Sequence, residues 1–431
     1  MNTALESQER DVVVIGGGPA GSTAGHLLAR AGRRVVVLER EHFPRFHVGE
    51  SLLPVNMPLL ERLGVRKRIE EASAVTKHGA RLLMAGGDLE VRVRFADGLV
   101  PCPSSALQVV RSEFDEILLR ATAEAGADVR EGHEVLRAEG RSGRWHVRAR
   151  DTDGRETEIT ARHLVDASGR DTFLARADRT KEMADGHRRV AVYAHFSGVP
   201  RPDGETAGDI VLLVRRDGWL WLIPLPNGNT SVGLVVQGET LRESGRSPEE
   251  ALEHALAHTP ALRDRTTSAQ RISEVHATSN YSYHCGSPVR NGALVVGDAL
   301  AFLDPVFSTG VWLAMRGGES AAAVLDRCLE TPDRADPLLS AWGEQQRRDN
   351  EYYWRLIDRF YTPEFIELLL QPSPAPVLRS VVAALNSVFA GMGPRGSLGL
   401  RARLKLFEGI QFLHRRFGIR PKLELGSVFD D

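Results

Sequence analysis

The chain has 431 residues, a formal net charge of −2 and three cysteines. This length allows two or three domains, and the near-neutral charge predicts no general attraction for nucleic acid or membrane surfaces. The cysteines are far apart and form no CxxC pair, and residues 1–10 lack the apolar core of a secretory signal. We therefore expect no disulfide framework, no metal site and a reducing, cytoplasmic location.

The first predicted elements, in residues 11–39, are a strand, a glycine turn, a helix and a second strand that ends in an acid. Gly16 allows the tight turn, Gly18 lets a pyrophosphate approach the backbone, and Gly21 lets the helix pack on the strand. The helix N-terminus offers unpaired amides to phosphates, and Glu39 can accept hydrogen bonds from a ribose. This arrangement predicts a dinucleotide site.

Three further segments follow in the first half of the chain. Residues 43–54 read FPRFHVGESLLP and form an extended strap after the second strand. Lys77 lies in Thr-Lys-His-Gly-Ala, where we predict the start of a strand. Arg111 leads into a predicted helix that runs through residue 125, and residues 164–170 read LVDASGR.

Three segments in the second half of the chain contain candidate site residues. Residues 219–224 read WLWLIP, and as a strand they place Trp219, Trp221 and Ile223 on one face, because side chains alternate. Residues 292–299 predict a strand that ends in Gly-Asp, at Asp298. Residues 304–311 read DPVFSTGV, a glycine turn that opens a helix.

Together these segments resemble the flavin-dependent halogenases over most of residues 10–330. The resemblance implies that FAD is bound and used as FADH2, with the strap passing the flavin ring. It implies the following cofactor contacts: Gly16, Gly18, Ala20, Gly21, Ser22, Glu39, Gly49, Ser51, Arg111 and Asp298. Arg45, His47 and Glu50 receive structural or flavin-contact roles, because the strap needs internal pairing.

The resemblance also implies the chemistry. Reduced FAD, O2 and chloride or bromide give hypohalous acid. Lys77 then either hydrogen-bonds this acid or forms a chloramine with it, and so directs the halogen onto one carbon of the substrate. Backbone amides at Thr309 and Gly310, with Ser308 adjacent, would bind the halide, since a buried anion needs donors around it. The channel or substrate wall would comprise Trp219, Trp221, Ile223, Pro224 and Phe307.

The substrate clue is Phe307. Tryptophan halogenases carry a glutamate immediately before Ser-Thr-Gly, and an apolar side chain cannot do that acid–base work. We therefore expect a phenolic or pyrrolic substrate, which carries its own activating donor. It is either free or tethered to an acyl or peptidyl carrier protein, since the basic helix predicted over residues 398–417 could dock an acidic carrier.

The resemblance implies an α/β fold with a Rossmann-like FAD-binding domain of the aromatic-hydroxylase type. The predicted FAD-binding domain comprises residues 1–75, 108–185 and 286–331. An interleaved β-sheet substrate domain comprises residues 76–107 and 186–285, and residues 332–431 form a helical C-terminal region. Because only one glycine fingerprint occurs, we expect a separate flavin reductase to supply FADH2.

Three alternatives stay open at this point. An aromatic hydroxylase of the same fold would oxidise NAD(P)H directly when substrate is added. A reductase of the geranylgeranyl type shares the glycine and Gly-Asp motifs but needs neither Lys77 nor the tryptophan pair. A non-catalytic flavin-binding partner would have no use for Lys77.

Overall fold

The computed structural model describes residues 8–84, 89–371, 376–393 and 397–430, without the side chains of Gln8, Ser73, Asp264 and residues 376–378. We expected residues 1–10 not to form a secretory signal. Residues 1–7 of that segment lie outside the described ranges. The strands are β1 Gln8–Ile15, β2 Val35–Leu38, β3 Ala74–Lys77, β4 Gly79–Met84, β5 Glu90–Arg94, β6 Ala106–Val109, β7 Asp128–Arg130, β8 Glu134–Arg141, β9 Arg144–Arg150, β10 Glu156–Asp166, β11 Glu182–Met183, β12 Arg189–Ser197, β13 Ile210–Val214, β14 Gly218–Pro224, β15 Asn229–Gln237, β16 Gln270–Arg271, β17 His276–Ser279, β18 Tyr283–His284, β19 Val289–Arg290, β20 Ala293–Val295 and β21 Ala301–Phe302.

The helices surround two large sheets. They are α1 Pro19–Arg30, α2 Met57–Arg62, α3 Arg66–Ser73, α4 Arg111–Glu124, α5 Phe173–Asp178, α6 Gly238–Glu243, α7 Pro248–His258, α8 Pro260–Thr266, α9 Gly310–Glu330, α10 Ala335–Phe360, α11 Pro363–Leu370, α12 Pro376–Phe389 and α13 Leu398–Phe417. Among the described helices, none combines the length and the apolar character that crossing a bilayer requires.

The first sheet has the order β19-β20-β10-β1-β2-β7, with β9 pairing β10 and β8 pairing β9. Strands β1, β2, β7, β10 and β20 run parallel, and α1 connects β1 to β2. The inner strands are apolar on both faces because both are covered. Val12 and Val14 pack toward α1 and α9, whereas Val13 and Ile15 pack toward the β8–β9 hairpin.

The second sheet has the order β16-β12-β15-β14-β13-β4-β5, with β17 beside β12. It is antiparallel except for the β13–β4 pair. Its side chains alternate between two cores. Trp219 and Trp221 join a core with α10, α11 and α12, whereas Leu220 and Leu222 join a core with α7.

The two sheets alternate along the chain, as the interleaved architecture requires. Strands β4 and β5 interrupt the segments of the first sheet, and β12 to β17 interrupt them again. The residue limits of the domains stay a prediction. One local prediction was wrong: Lys77 does not begin a strand but ends β3, which pairs with β6 at Ala106.

The C-terminal helices cover the tryptophan face of the second sheet. Phe360 of α10, Phe365 of α11 and Phe389 of α12 belong to the same apolar core as Trp219 and Trp221. The chain then returns to this sheet, where the Val428 amide donates to Asp217 at 2.9 Å. The helical region therefore closes one side of the space between the sheets.

Candidate active site

A cavity of about 680 Å³ lies between the first sheet and the tryptophan face of the second. The first sheet contributes the glycine turn at Gly16 and Gly18. The strap contributes residues 45–51, and the second sheet contributes Trp219 and Trp221. Ligands of open α/β folds bind at the carboxyl ends of the parallel strands, which is where the glycine turn lies.

The glycine turn leaves no room for side chains. Gly16 has φ +96°, and a Cβ there would lie 2.4 Å from the Ala167 carbonyl oxygen. A Cβ on Gly21 would lie 1.9 Å from the Gly16 oxygen, so the helix packs directly on the turn. Helix α1 begins after Gly18 with no side-chain cap, which leaves its first amides free for an anion.

Glu39 and Ser22 hold this turn in place. The Gly17 amide donates to Oε2 of Glu39 at 2.7 Å, and the Glu41 amide donates to Oε1 at 2.9 Å. The Ser22 hydroxyl donates to the Gly17 carbonyl at 2.7 Å. Glu39 and Ala20 line the cavity, whereas Ser22 and Gly21 support it from behind.

The strap is fixed by a buried arginine. Arg111 donates from Nη1 to the carbonyl oxygens of Val48 at 2.8 Å and Gly49 at 3.3 Å. Its other nitrogens form a bidentate pair with Asp115, with both bonds at 2.8 Å. Burial, together with the Arg111 charge, lowers the pKa of His47 to about 4, so this imidazole is neutral. These contacts agree with the expectation that the strap needs internal pairing.

Asp298 follows β20, and its neighbour Gly297 packs beside Ala20 at the start of α1, where a Cβ would lie 3.3 Å from the Ala20 Cβ. No described residue donates a hydrogen bond to its carboxylate, although the side chain lines the cavity. Burial raises the pKa of Asp298 to about 6. Such a carboxylate needs an external donor, and the hydroxyls of a ribityl chain supply suitable ones. Together with the free amides of the glycine turn, the residues present therefore fit FAD.

Residues 304–310 form a tight turn in front of α9. The Asp304 carboxylate accepts from the Val306 amide at 3.0 Å, and Ser308 has φ +55°. Gly310 begins the 21-residue helix α9. Ser308 and Gly310 line the cavity, whereas Thr309 is buried beside them. The free amides of this helix N-terminus are suitable donors for a halide.

Lys77 lies behind the strap and is 2% exposed. Its Nζ donates to the Ser51 hydroxyl at 2.7 Å and to the Leu52 carbonyl at 3.1 Å. It lies 5.3 Å from the centroid of the Phe95 ring. Burial lowers the pKa of Lys77 to about 7, although the charge of Asp209 opposes this shift. Lys77 does not line the cavity itself, but its partner Ser51 does.

The tryptophan pair forms part of the cavity wall. The Trp219 and Trp221 ring centroids are 5.6 Å apart, and Ile223 extends the same wall. Trp219 Nε1 donates to the Tyr361 hydroxyl at 2.9 Å, and that hydroxyl donates to Oδ2 of Asp304 at 2.9 Å. Tyr361 thus connects the wall to the turn before α9. No sequence signal pointed to it, because it follows α10 far along the chain.

Two predicted wall residues lie elsewhere. Pro224 is the next residue after Ile223, and its side chain faces away because side chains alternate along β14. Phe307 packs in the apolar core, with its ring centroid 5.3 Å from Phe360 and 5.2 Å from Phe389. Neither lines the cavity.

The sequence did not indicate a pair between the buried acid Glu50 and the half-buried imidazole of His195. Oε1 of Glu50, in the strap, lies 2.5 Å from Nε2 of His195 on β12. The hydrogen bond that His195 donates to Glu50 raises the pKa of His195, against the opposing effect of burial. The pairing joins positions 145 residues apart, so no local pattern could have indicated it.

The chain is similar to known proteins over most of its length. A family model described as an FAD binding domain matches residues 9–347. The chain is 32% identical over 362 residues to a 1H-pyrrole-2-carbonyl-peptidyl-carrier-protein brominase of Pseudoalteromonas luteoviolacea. That match covers 81% of this chain and 86% of the relative.

Two further matches extend this comparison. A 1H-pyrrole-2-carbonyl-peptidyl-carrier-protein chlorinase of Pseudomonas fluorescens is 30% identical over 381 residues, covering 83% of this chain and 84% of the relative. The solved structure of the flavin-dependent brominase Bmp2 is 26% identical, with a TM-score of 0.83. That match covers 94% of this chain and 100% of the brominase chain.

Proposed function

The chain belongs to the flavin-dependent halogenases, enzymes that halogenate aromatic substrates, and from this premise we propose that it chlorinates or brominates a pyrrolic or phenolic ring in natural-product biosynthesis. The observation that carries the proposal is the buried Lys77, whose pKa is about 7 and which contacts the cavity wall through Ser51. Two matched relatives are named for a pyrrole group held on a peptidyl carrier protein. We therefore favour a carrier-tethered pyrrole as substrate.

The glycine turn, Glu39, the strap and Asp298 would hold FAD. Bound FADH2, with O2 and chloride or bromide, supplies hypohalous acid. The amides at the start of α9, at Thr309 and Gly310, would hold the halide. A charge-assisted hydrogen bond contributes about 1.5–3 kcal/mol, so two such donors offset much of the cost of burying the ion.

Lys77 would act on the hypohalous acid as a proton donor. Its ammonium donates to the oxygen while the substrate carbon attacks the halogen. The oxygen–halogen bond breaks as the carbon–halogen bond forms, and the oxygen leaves as water with the lysine proton. The ring then loses a proton, which restores the ammonium. A pKa of about 7 makes this transfer easy near neutral pH.

The environment of Phe307 supports an electron-rich substrate. A phenylalanine packed against Phe360 and Phe389 provides no acid or base. Pyrroles and phenols carry the heteroatom that stabilises the cation formed on attack. The wall of Trp219 and Trp221 would separate this substrate from the flavin.

We also propose that a separate flavin reductase supplies FADH2, because the sequence contains a single glycine fingerprint. Cys102, Cys285 and Cys328 are unpaired, which suits the reducing cytoplasm.

The test is an incubation with FAD, a generic flavin reductase, NADH, O2 and bromide or chloride. The substrates are phenols, pyrroles and carrier-bound pyrrole-2-carboxylate, and mass spectra report the halogen isotope pattern. Lys77→Ala should abolish ring halogenation while FAD binding persists, and Lys67→Ala, at a side chain 84% exposed, is the matched control. Turnover by the unaltered enzyme should fall as pH rises above about 7, as the ammonium is lost.

Two results would contradict the proposal. The first is a product that has gained oxygen instead of halogen, which indicates a hydroxylase. The second is normal halogenation by Lys77→Ala, which removes the lysine from the mechanism.

A further inference from the structure

Helix α13 exposes an unusual surface near the end of the chain. The described residues include nine exposed large hydrophobic side chains, and six of them lie within residues 398–419. These six are Leu398, Leu406, Phe412, Leu413, Phe417 and Ile419, with Leu398 79% exposed and Phe412 67% exposed. The opposite side of the helix is buried at Leu400, Phe407 and His414. The exposure is therefore confined to the outward face.

The outward face is also positively charged. At 100° per residue, Leu398, Lys405, Phe412 and Arg416 fall within about 40° of one line along the helix. We call these four residues the outer stripe of α13. The only acid in the helix sequence, Glu408, pairs with Arg359 at 2.6 Å. The outer stripe thus alternates apolar anchors with cations and carries no compensating acid.

The outer stripe lies on the side of the molecule that covers Lys77. Helix α13 packs on α11, where the Phe407 and Phe365 ring centroids are 5.3 Å apart, and on α12. Helix α12 in turn accepts the Leu99 amide at the Ala383 carbonyl, at 2.9 Å. The turn before Leu99 carries Phe95, the ring beside Lys77. Helix α12 therefore connects α13 to the segment that covers the lysine.

We propose that the outer stripe of α13 docks the acidic carrier protein that presents the substrate. This inference rests on the proposed function and names the partner's site. Exposed apolar anchors surrounded by charges of one sign are typical of an interface that selects a complementary partner. An acidic protein surface with an apolar patch would pair with the cations of the stripe and cover its apolar side chains.

Two other occupants fit the stripe less well. A helix that lies in a membrane surface separates its cations from its apolar side chains, whereas on the stripe Lys405 and Arg416 alternate with Leu398 and Phe412. Three further exposed side chains lie about 60–100° to one side of Leu398 and widen the apolar part of the docking surface, namely Leu406, Leu413 and Phe417. A symmetric pairing of two copies would set the cations of one stripe against an identical stripe that carries no acid. An acidic carrier therefore fits the pattern better than a lipid surface or a second copy.

The test uses the full-length protein and a fluorescently labelled peptidyl carrier protein loaded with pyrrole-2-carboxylate. The variant Lys405→Glu/Arg416→Glu reverses two charges of the stripe. The matched control Arg141→Glu/Arg144→Glu reverses two exposed charges at the β8–β9 turn. Fluorescence anisotropy gives the Kd, and bromination gives kcat/KM for the carrier-bound pyrrole and for the same acyl group on a short pantetheine fragment.

The stripe reversal should weaken carrier binding at least tenfold and raise the KM for the carrier-bound substrate, with the short thioester brominated at an unchanged rate. Phe412→Ser should weaken carrier binding as well, and the control should do neither. Carrier binding is measured without turnover. If the unaltered protein binds the carrier but does not brominate its pyrrole, the result contradicts the proposed function and not the docking site.

Several results would overturn the docking site. One is equal carrier affinity in the unaltered protein and the stripe variant, and another is no affinity in either. Binding to anionic vesicles that Phe412→Ser abolishes, with carrier kinetics unchanged, would assign the stripe to a membrane. A dimer that dissociates on stripe reversal, again with unchanged carrier kinetics, would assign it to a second copy.

Discussion

The burial of Lys77 predicts how the free energy of unfolding depends on pH. Burial lowers its folded-state pKa from 10.5 to about 7. Because the folded pKa lies below the unfolded one, the unfolded chain binds the extra proton between these values. The cost of burying the lysine is then fully present below about pH 7 and disappears as pH rises toward 10.5. At about 1.4 kcal/mol per pH unit, the full cost is about 5 kcal/mol.

Lys77→Met keeps much of the side-chain volume and removes the charge. Removing the buried charge should raise the free energy of unfolding by about 5 kcal/mol at pH 6 and by about 2 kcal/mol at pH 9. Loss of the bonds to Ser51 and Leu52 subtracts about 1 kcal/mol each at either pH, so the difference between the two pH values is diagnostic.

Urea denaturation of both proteins at pH 6 and pH 9, without added FAD, measures these free energies. Lys67→Met is the control, because Lys67 is exposed and should give the same small change at both pH values. A stability difference for Lys77→Met that is equal at pH 6 and pH 9 would refute the assigned burial cost.

Three further predictions concern the cavity. Tyr361→Phe leaves the buried Asp304 carboxylate without its second donor, so it should cost about 1–3 kcal/mol of stability. It should also raise the KM for bromide without changing the KM for the aromatic substrate, as steady-state kinetics would measure. Glu50→Gln should lower the pKa of His195 in an NMR titration, and it should destabilise the fold more at pH 5 than at pH 8, because the raised pKa contributes only while the imidazole is charged. Asp298→Ala should weaken FAD binding about tenfold in a fluorescence titration, a loss of about 1.4 kcal/mol.

Local patterns in the chain anticipated much of the fold and the family. Continuous runs of valine, typical of strands covered on both faces, predicted β1 and β2, and the glycine turn between them predicted a nucleotide site. The resemblance to flavin-dependent halogenases and the α/β flavoprotein fold are confirmed. These features could be predicted because each depends on neighbouring residues in one short segment. Neighbouring residues are sufficient to set strand periodicity and turn geometry.

The site assignments stay predictions, and the structure sharpens several of them. Lys77 was singled out by its sequence context, but its burial and its bond to Ser51 come from the packing of β3 under the strap. Ser22 was expected to contact the cofactor, yet it holds the Gly17 carbonyl behind the turn. Phe307 remains the clue to the substrate although it lies in the core rather than in the cavity wall.

The sequence by itself determined which segments can bind a nucleotide, open a helix with free amides or form an aromatic face, because these properties depend on neighbouring residues and backbone geometry. Only the tertiary structure decided that Tyr361 joins Trp219 to Asp304 and that His195 pairs with Glu50. These pairs are distant along the chain. Each forms because buried polar groups must find partners once the sheets and the C-terminal helices have packed together.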